Sequence, residues 1–343
     1  MANYIPMLTT PLFIGGLLLF AAGSAVLVLR SLLTATPLGM AFNGSGALRF
    51  GLNAAAVSAA VALLAFGWSF VELPRSIDIK GYYEILFWGG GHALQFTWTL
   101  LMLVAWLWLA SASGARIALS ARVTLLMFAL ALASVFITPY AYLAHDIASV
   151  EHRHLLTWAM RFGGGVAILP IGLAVVLGQP RGPQPASARP LRAALLSSLL
   201  LFGAGGAIGI FISGSNVRIP AHYHGCIVGV TLALMGLVYH LLPQLGYRAP
   251  SSRLATLQPW LYAGGQLMHI TGLVWSGGYG VQRKVGGAEQ VLHSTAEVAG
   301  MGLMGLGGLV AIMGGLLFVV VVVRALRAPP VARKMPCATA SRP

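Results

Sequence analysis

The sequence predicts an all-α, polytopic transmembrane helix bundle of about nine spans. Three observations carry this. The 343 residues are 58% hydrophobic and only 8% charged, with a mean hydropathy of +0.84, outside the balance of a soluble domain. The apolar residues come in runs of the length that crosses a bilayer as a helix. Lys and Arg are sorted between alternate loops, as the positive-inside rule requires.

The runs fall at about 11–29, 50–70, 87–111, 121–143, 158–178, 193–214, 222–244, 257–277 and 295–324. No basic segment precedes the first, so it reads as a retained helix and not a cleaved signal. Ahead of and along the third run, Tyr82-Tyr83 and Trp106-Leu107-Trp108 read as interfacial aromatic belts. The fifth and sixth runs are joined by the longest inner loop, Gly178-Gln179-Pro180-Arg181-Gly182-Pro183-Gln184-Pro185, which has no helical period. Within the sixth and ninth runs, Gly203-Ala204-Gly205-Gly206 and Gly300-Met301-Gly302-Leu303-Met304-Gly305 are strings of small residues suited to close helix–helix packing. One transmembrane domain over 1–328 is expected, followed by a basic, disordered cytoplasmic tail over 329–343. No soluble domain or internal repeat is evident.

The net charge of +14 suggests nucleic acid, but its distribution does not. With the N-terminus outside, fourteen of the 21 Lys and Arg residues fall in inner segments and seven in outer ones. That excess orients the chain N-out and C-in. All seven acids are outer, at Glu72, Asp78, Glu84, Asp146, Glu151, Glu289 and Glu297. The basic face is accounted for by anionic lipid, so the partners expected are a bilayer and no nucleic acid. The localisation expected is a bacterial inner membrane. Cys226 and Cys337 fall on opposite sides and cannot pair, and there is no thiolate metal motif.

The histidines carry the chemistry. Eight of the nine (His92, His145, His152, His154, His222, His224, His269 and His293) gather at the outer level, and only His240 is near the inner side. Ionisable groups inside a membrane are costly and mark functional sites, and imidazole clusters suit copper and iron. His222-Tyr223-His224 opens the seventh helix. Each helical residue advances about 100°, so the two imidazoles point to opposite sides of it. Each could hold a metal or heme iron, or be wetted by headgroups. His269 and His293 read as interfacial, His240 as an inner-interface residue, and Glu151-His152-Arg153-His154 as an outer loop.

Four patches resemble one family, in its order and orientation. Gly91-His92 with Gln95-Phe96-Thr97-Trp98 is similar to the helix that gives the first copper ligand of the heme-copper oxygen reductase (cytochrome c oxidase) catalytic subunit I. Ala144-His145-Asp146, followed by Ile168-Leu169-Pro170-Ile171-Gly172, resembles that family's copper-binding helix and the segment after it. His222-Tyr223-His224 through Tyr239 and Leu242-Pro243 resembles its heme-binding helix. Met268-His269-Ile270-Thr271-Gly272-Leu273, ending in Arg283-Lys284, resembles the helix whose basic pair meets heme propionates. The resemblance spans roughly 70–325, covering the family's last seven helices. Helices one and two would match its fourth and fifth, with no counterpart of its first three.

The resemblance implies a heme-dependent membrane redox subunit, an oxidoreductase reducing oxygen with electrons from cytochrome c or quinol. It makes His222 the proximal ligand of a high-spin heme and turns His224 toward a second, low-spin heme. His92 and His145 become copper ligands, and Arg283 and Lys284 neutralise propionates. Where the family has two adjacent histidines, this chain has Ala144-His145, so His152 or His154 is the candidate third ligand. Phe96 stands where many members have a tyrosine, leaving Tyr140 and Tyr142 as substitute electron donors. No acid or lysine lies mid-span, so proton pumping is not expected. A low-spin heme needs two strong axial ligands, and no histidine is expected to face His224, so another membrane subunit is expected to bring one. The alternatives are a nitric oxide reductase-like enzyme, and a non-catalytic heme or copper carrier or sensor.

Overall fold

The computed structural model describes residues 10–36, 44–74, 76–285 and 290–327. The expected tail at 329–343, with Cys337, lies outside the described residues, as do Arg75 and Glu289. The helices are α1 (Pro11–Leu33), α2 (Gly44–Glu72), α3 (Ile79–Ala112), α4 (Ala121–Val135), α5 (Ile137–Ala144), α6 (Val150–Gly163), α7 (Gly165–Leu177), α8 (Arg189–Ile210), α9 (Arg218–Leu241), α10 (Arg253–Gly278) and α11 (Thr295–Arg327). The only β feature among the described residues is a single bridge between Asn216 and Gln282.

Eight stretches have the length and apolar composition of a membrane span: α1, α2, α3, α4 with α5, α6 with α7, α8, α9 and α11. The ninth expected span is α10, which has the length, 26 residues, but not the apolar composition. Its polar groups are buried in the bundle: Gln258 accepts from the Tyr239 hydroxyl on α9 at 3.0 Å and donates to the Gly314 carbonyl on α11 at 3.2 Å. A membrane helix tolerates such groups when neighbouring helices satisfy them.

Two expected spans are each broken in two. The fourth breaks at Phe136, three residues before Pro139. Proline has no N–H to give and its ring crowds the carbonyl four residues back, here that of Val135, where α4 ends. The fifth breaks at Gly164, within Gly163-Gly164-Gly165, and glycine weakens a helix interior. The fifth span also starts earlier than expected. Ser149 caps α6 by accepting from the His152 amide at 3.1 Å, so His152 and His154 lie on a helix and not in a loop.

α3 is the hub, packing against α2, α4, α6, α7, α8 and α9. Trp106, expected at the interface, sits in its core at 2% exposure. Its indole N–H donates to Ser198 Oγ on α8 at 2.7 Å, and Ser198 donates to the Gly229 carbonyl on α9 at 2.6 Å. Trp106 thus ties three helices, because a buried indole needs an acceptor. Trp108 faces His240 near the other end, ring centroids 5.5 Å apart. α1 packs on α2 and buries no residue of its own.

One glycine of the three in each small-residue string packs against a neighbouring helix. A Cβ on Gly205 would meet Cys226 N of α9 at 2.6 Å, and one on Gly300 would meet Ser276 Oγ of α10 at 2.4 Å. Gly203, Gly206, Gly302 and Gly305 have open space instead. Helical period allows only one side of each string to touch a neighbour.

Candidate functional site

One end of the bundle holds two histidine groups. The first lies between α3, α5 and α6. His92 is one-third of the way along α3, and its Nδ1 is 2.6 Å from the Trp88 carbonyl, one turn back. A carbonyl only accepts, so Nδ1 carries the proton and Nε2 of the neutral ring keeps its lone pair. The Trp88 ring flanks it, centroids 4.5 Å apart. His145 caps the C-terminal end of α5 in extended conformation, and Asp146 turns the chain by accepting from the Ala148 amide at 2.8 Å. His152, in the first turn of α6, is 2% exposed, and neither of its ring nitrogens has a hydrogen-bond partner among the described residues. It lies within electrostatic reach of His145, Asp146, Glu72 and His92.

The two candidate tyrosines divide. Tyr142 is buried, its hydroxyl 2.7 Å from Ser69 Oγ on α2 and its ring edge-to-face with His152 at 4.7 Å. Tyr140 is 60% exposed and points away from this group. Residues two apart on a helix cannot share a face, so the geometry separates the pair. His154 is exposed for the same reason, two residues from the buried His152.

The second group lies between α8, α9 and α10. As the helical period requires, His222 and His224 diverge. His222 Nδ1 is 2.7 Å from the Gly205 carbonyl of α8, which again places the proton on Nδ1 and leaves Nε2 free. The ring lies against Gly209, where a Cβ would come within 2.6 Å of Nδ1. His224 turns to α10, and its Nδ1 is 2.8 Å from His269 Nε2. His269 Nδ1 is 2.9 Å from the Met304 carbonyl of α11. The carbonyl must accept, so neutral His269 donates through Nδ1 and accepts through Nε2. His224 then donates through its own Nδ1 and keeps a lone pair on Nε2.

His269 is therefore not the interfacial residue expected, and a histidine does face His224. It engages Nδ1 and leaves the Nε2 side of the His224 ring to other partners. The signal for it in the sequence was depth: His224 is six residues into α9 and His269 nine residues before the end of α10, about 9 and 14 Å at 1.5 Å per residue. His293 is held apart, its backbone N–H donating to Glu297 at 2.7 Å at the start of α11.

The basic pair has partners within the chain. Lys284, in left-handed conformation at φ 68°, forms an ion pair with Glu84 of α3. Arg283 Nε donates to Ser215 Oγ at 3.2 Å.

Among the described residues no three His, Cys, Asp or Glu side chains stand close enough together to hold a metal ion. The donor chemistry nevertheless fits the implied groups. Buried, unpartnered imidazole nitrogens on His152 and a free Nε2 on His92 suit copper. Nδ1–H bonds to carbonyls on His92 and His222 are the orienting contacts that metal-bound histidines make through their other nitrogen.

Comparison with known proteins bears on the whole fold. The model of the family "Cytochrome C and Quinol oxidase polypeptide I" matches residues 1–317, so the likeness takes in α1 and α2 and most of the 70–325 expected, ending eight residues short of it. The chain is 31% identical over 362 residues to an uncharacterized protein, RP382, of Rickettsia prowazekii, covering 92% of this chain and 69% of that one. It is 29% identical over 247 residues to an uncharacterized protein of Aquifex aeolicus, covering 71% of this chain and 60% of the other. A solved heme-copper terminal oxidase dimer has a chain that superposes with a TM-score of 0.64 at 16% identity, covering 83% of this chain and 57% of that one.

Proposed function

This chain belongs to the cytochrome c and quinol oxidase polypeptide I family, and on that premise we propose that it is a heme-dependent membrane redox subunit, reducing oxygen with electrons from cytochrome c or quinol. The observation that carries the reading is His222: its Nδ1–H is held by the Gly205 carbonyl and its Nε2 is free. That is the tautomer a proximal heme ligand needs. When bound, heme iron and copper supply the electrons and the open coordination position that dioxygen reduction requires.

The chain's own residues orient and donate. Gly209 leaves room for the His222 ring, and Gly205 sets its tautomer. His92, His145 and His152 would hold the copper in this reading once drawn together from their present positions, His152 taking the place of a second adjacent histidine. Tyr142, not Tyr140, is the redox tyrosine in this reading, with its hydroxyl 2.7 Å from Ser69 Oγ and its ring edge-to-face with His152. Arg283 is the propionate partner, and Lys284 contributes only on release from Glu84. The described acids, such as Glu72, Glu84 and Glu297, sit at helix ends, which supports a subunit that does not pump protons. His224, through its Nε2, would hold the low-spin heme together with a histidine from another membrane subunit.

Nitric oxide reduction is the second reading. It is favoured by one observation, that the carboxylates of Asp146 and Glu72 lie within electrostatic reach of His152. The test is His222→Ala in the purified chain. Loss of heme and of the carbon monoxide difference spectrum is expected, and an unchanged spectrum overturns the proximal assignment. Oxygen against nitric oxide consumption by the native complex decides between the two readings.

A further inference from the structure

At the opposite end of the bundle, where α11 ends in Arg324 and Arg327, an open cleft of about 290 Å³ runs between the first turns of α8 and α10. It is lined by Gln184, Arg189, Arg192, Thr256, Leu196 and Trp260. Arg189 Nε donates to the Gln184 carbonyl at 3.1 Å, which fixes the arginine at the rim. Arg192 Nε is buried and has no hydrogen-bond partner among the described residues. A buried guanidinium N–H without an acceptor is costly and calls for one.

Among the described residues no acid lines the cleft. The described acids (Glu72, Asp78, Glu84, Asp146, Glu151 and Glu297) lie at the helix ends of the other face. The start of α8 adds to the deficit, since Ala188 provides no side-chain cap for its first amides. We propose that this cleft binds the phosphate headgroup of an anionic phospholipid.

Depth identifies the ligand. Arg189 to Leu196 and Arg253 to Trp260 are each seven residues, about 10 Å along their helices. Polarity therefore falls from two guanidinium groups at the membrane surface to an aliphatic and an aromatic side chain below it. A phospholipid has the same order, with phosphate above and acyl chain beneath. A free anion would gain nothing from Leu196 and Trp260. Arginine suits the task because its planar fork grips phosphate oxygens in pairs.

The test is competitive lipid retention by the full chain in detergent, read by native mass spectrometry with equimolar phosphatidylglycerol and phosphatidylcholine. Phosphatidylglycerol is expected to be retained preferentially. In R189Q/R192Q its retention should fall about 30-fold, about five-fold per arginine. R248Q, on the same face outside the cleft, should behave like the parent. Millimolar inorganic phosphate should not displace the lipid; displacement would mean a soluble-anion site and overturn the proposal. Equal retention of phosphatidylcholine, or unchanged retention in R189Q/R192Q, would overturn it too. If the double variant does not fold, R189Q and R192Q are measured singly, and unchanged retention in both has the same meaning.

Discussion

His224 Nδ1 and His269 Nε2 are 2.8 Å apart, with their rings stacked at 4.9 Å between centroids. The Met304 carbonyl at the end of this chain fixes the proton order. His269 thus decides which nitrogen of His224 is left with a lone pair, although the two lie 45 residues apart in sequence.

Replacing His269 with Phe removes the acceptor for His224 Nδ1–H. We predict that H269F lowers heme occupancy at His224 by about 10- to 100-fold, the usual cost of losing an orienting partner. H269Q, whose amide oxygen can accept the same proton, should retain most of it. Low-spin heme absorbance and midpoint potential in the native complex provide the check, and equal occupancy in H269F and the parent would sink the relay.

Gly209→Ala places a methyl 2.6 Å from His222 Nδ1. The ring must move, so G209A should lose the carbon monoxide difference signal while keeping His222 itself. Overpacking of this kind costs about 1–3 kcal/mol of stability. Gly206→Ala, with nothing within 4 Å, should match the parent within about 0.5 kcal/mol. Identical spectra for the two variants would show that Gly209 does not shape the site.

His152→Leu separates stability from metal binding. His152 is buried with two unpartnered ring nitrogens, and unsatisfied buried polar groups cost about 1–3 kcal/mol each. An apolar replacement should raise the melting temperature of the metal-free chain while lowering its copper content. H154A, at an exposed position, should change neither. Full copper content in H152L, measured by elemental analysis, would remove His152 from the ligand set.

The N-out, C-in orientation predicts opposite labelling of two exposed loop positions, Arg181 and Gln282. In a chain carrying C226A and C337A, a cysteine at 181 should react with an impermeant maleimide only from the cytoplasmic side. One at 282 should react only from outside. The reverse pattern would invert the topology.

Much of this was legible in the chain itself. Apolar run length placed eight spans, and counting along them sorted eight of the nine histidines toward one end of the bundle. The divergence of His222 and His224 needed only the 100° step of a helix. The helix α10 was legible from its length, but as a ninth span it falls short in apolar composition, with Gln258 and Gln266 buried along it.

What the chain could not reveal is the rotation of one helix against another. Periodicity says that Tyr140 and Tyr142 face different ways, but only packing against α2 and α6 turns Tyr142 inward, onto Ser69 and His152. It does not say that His152 is buried and His154 exposed. That depends on the Ser149 cap, which starts α6 early and sets its phase. It is also silent on His269 meeting His224. Each helix is placed by its close backbone approach to a different neighbour, α9 to α8 at Gly205 with Cys226 and α10 to α11 at Gly307 with His269. A helix's own pattern determines angles about its axis. Which neighbour occupies each angle is decided by the closest approach that side-chain volume allows, and only the assembled bundle contains that information.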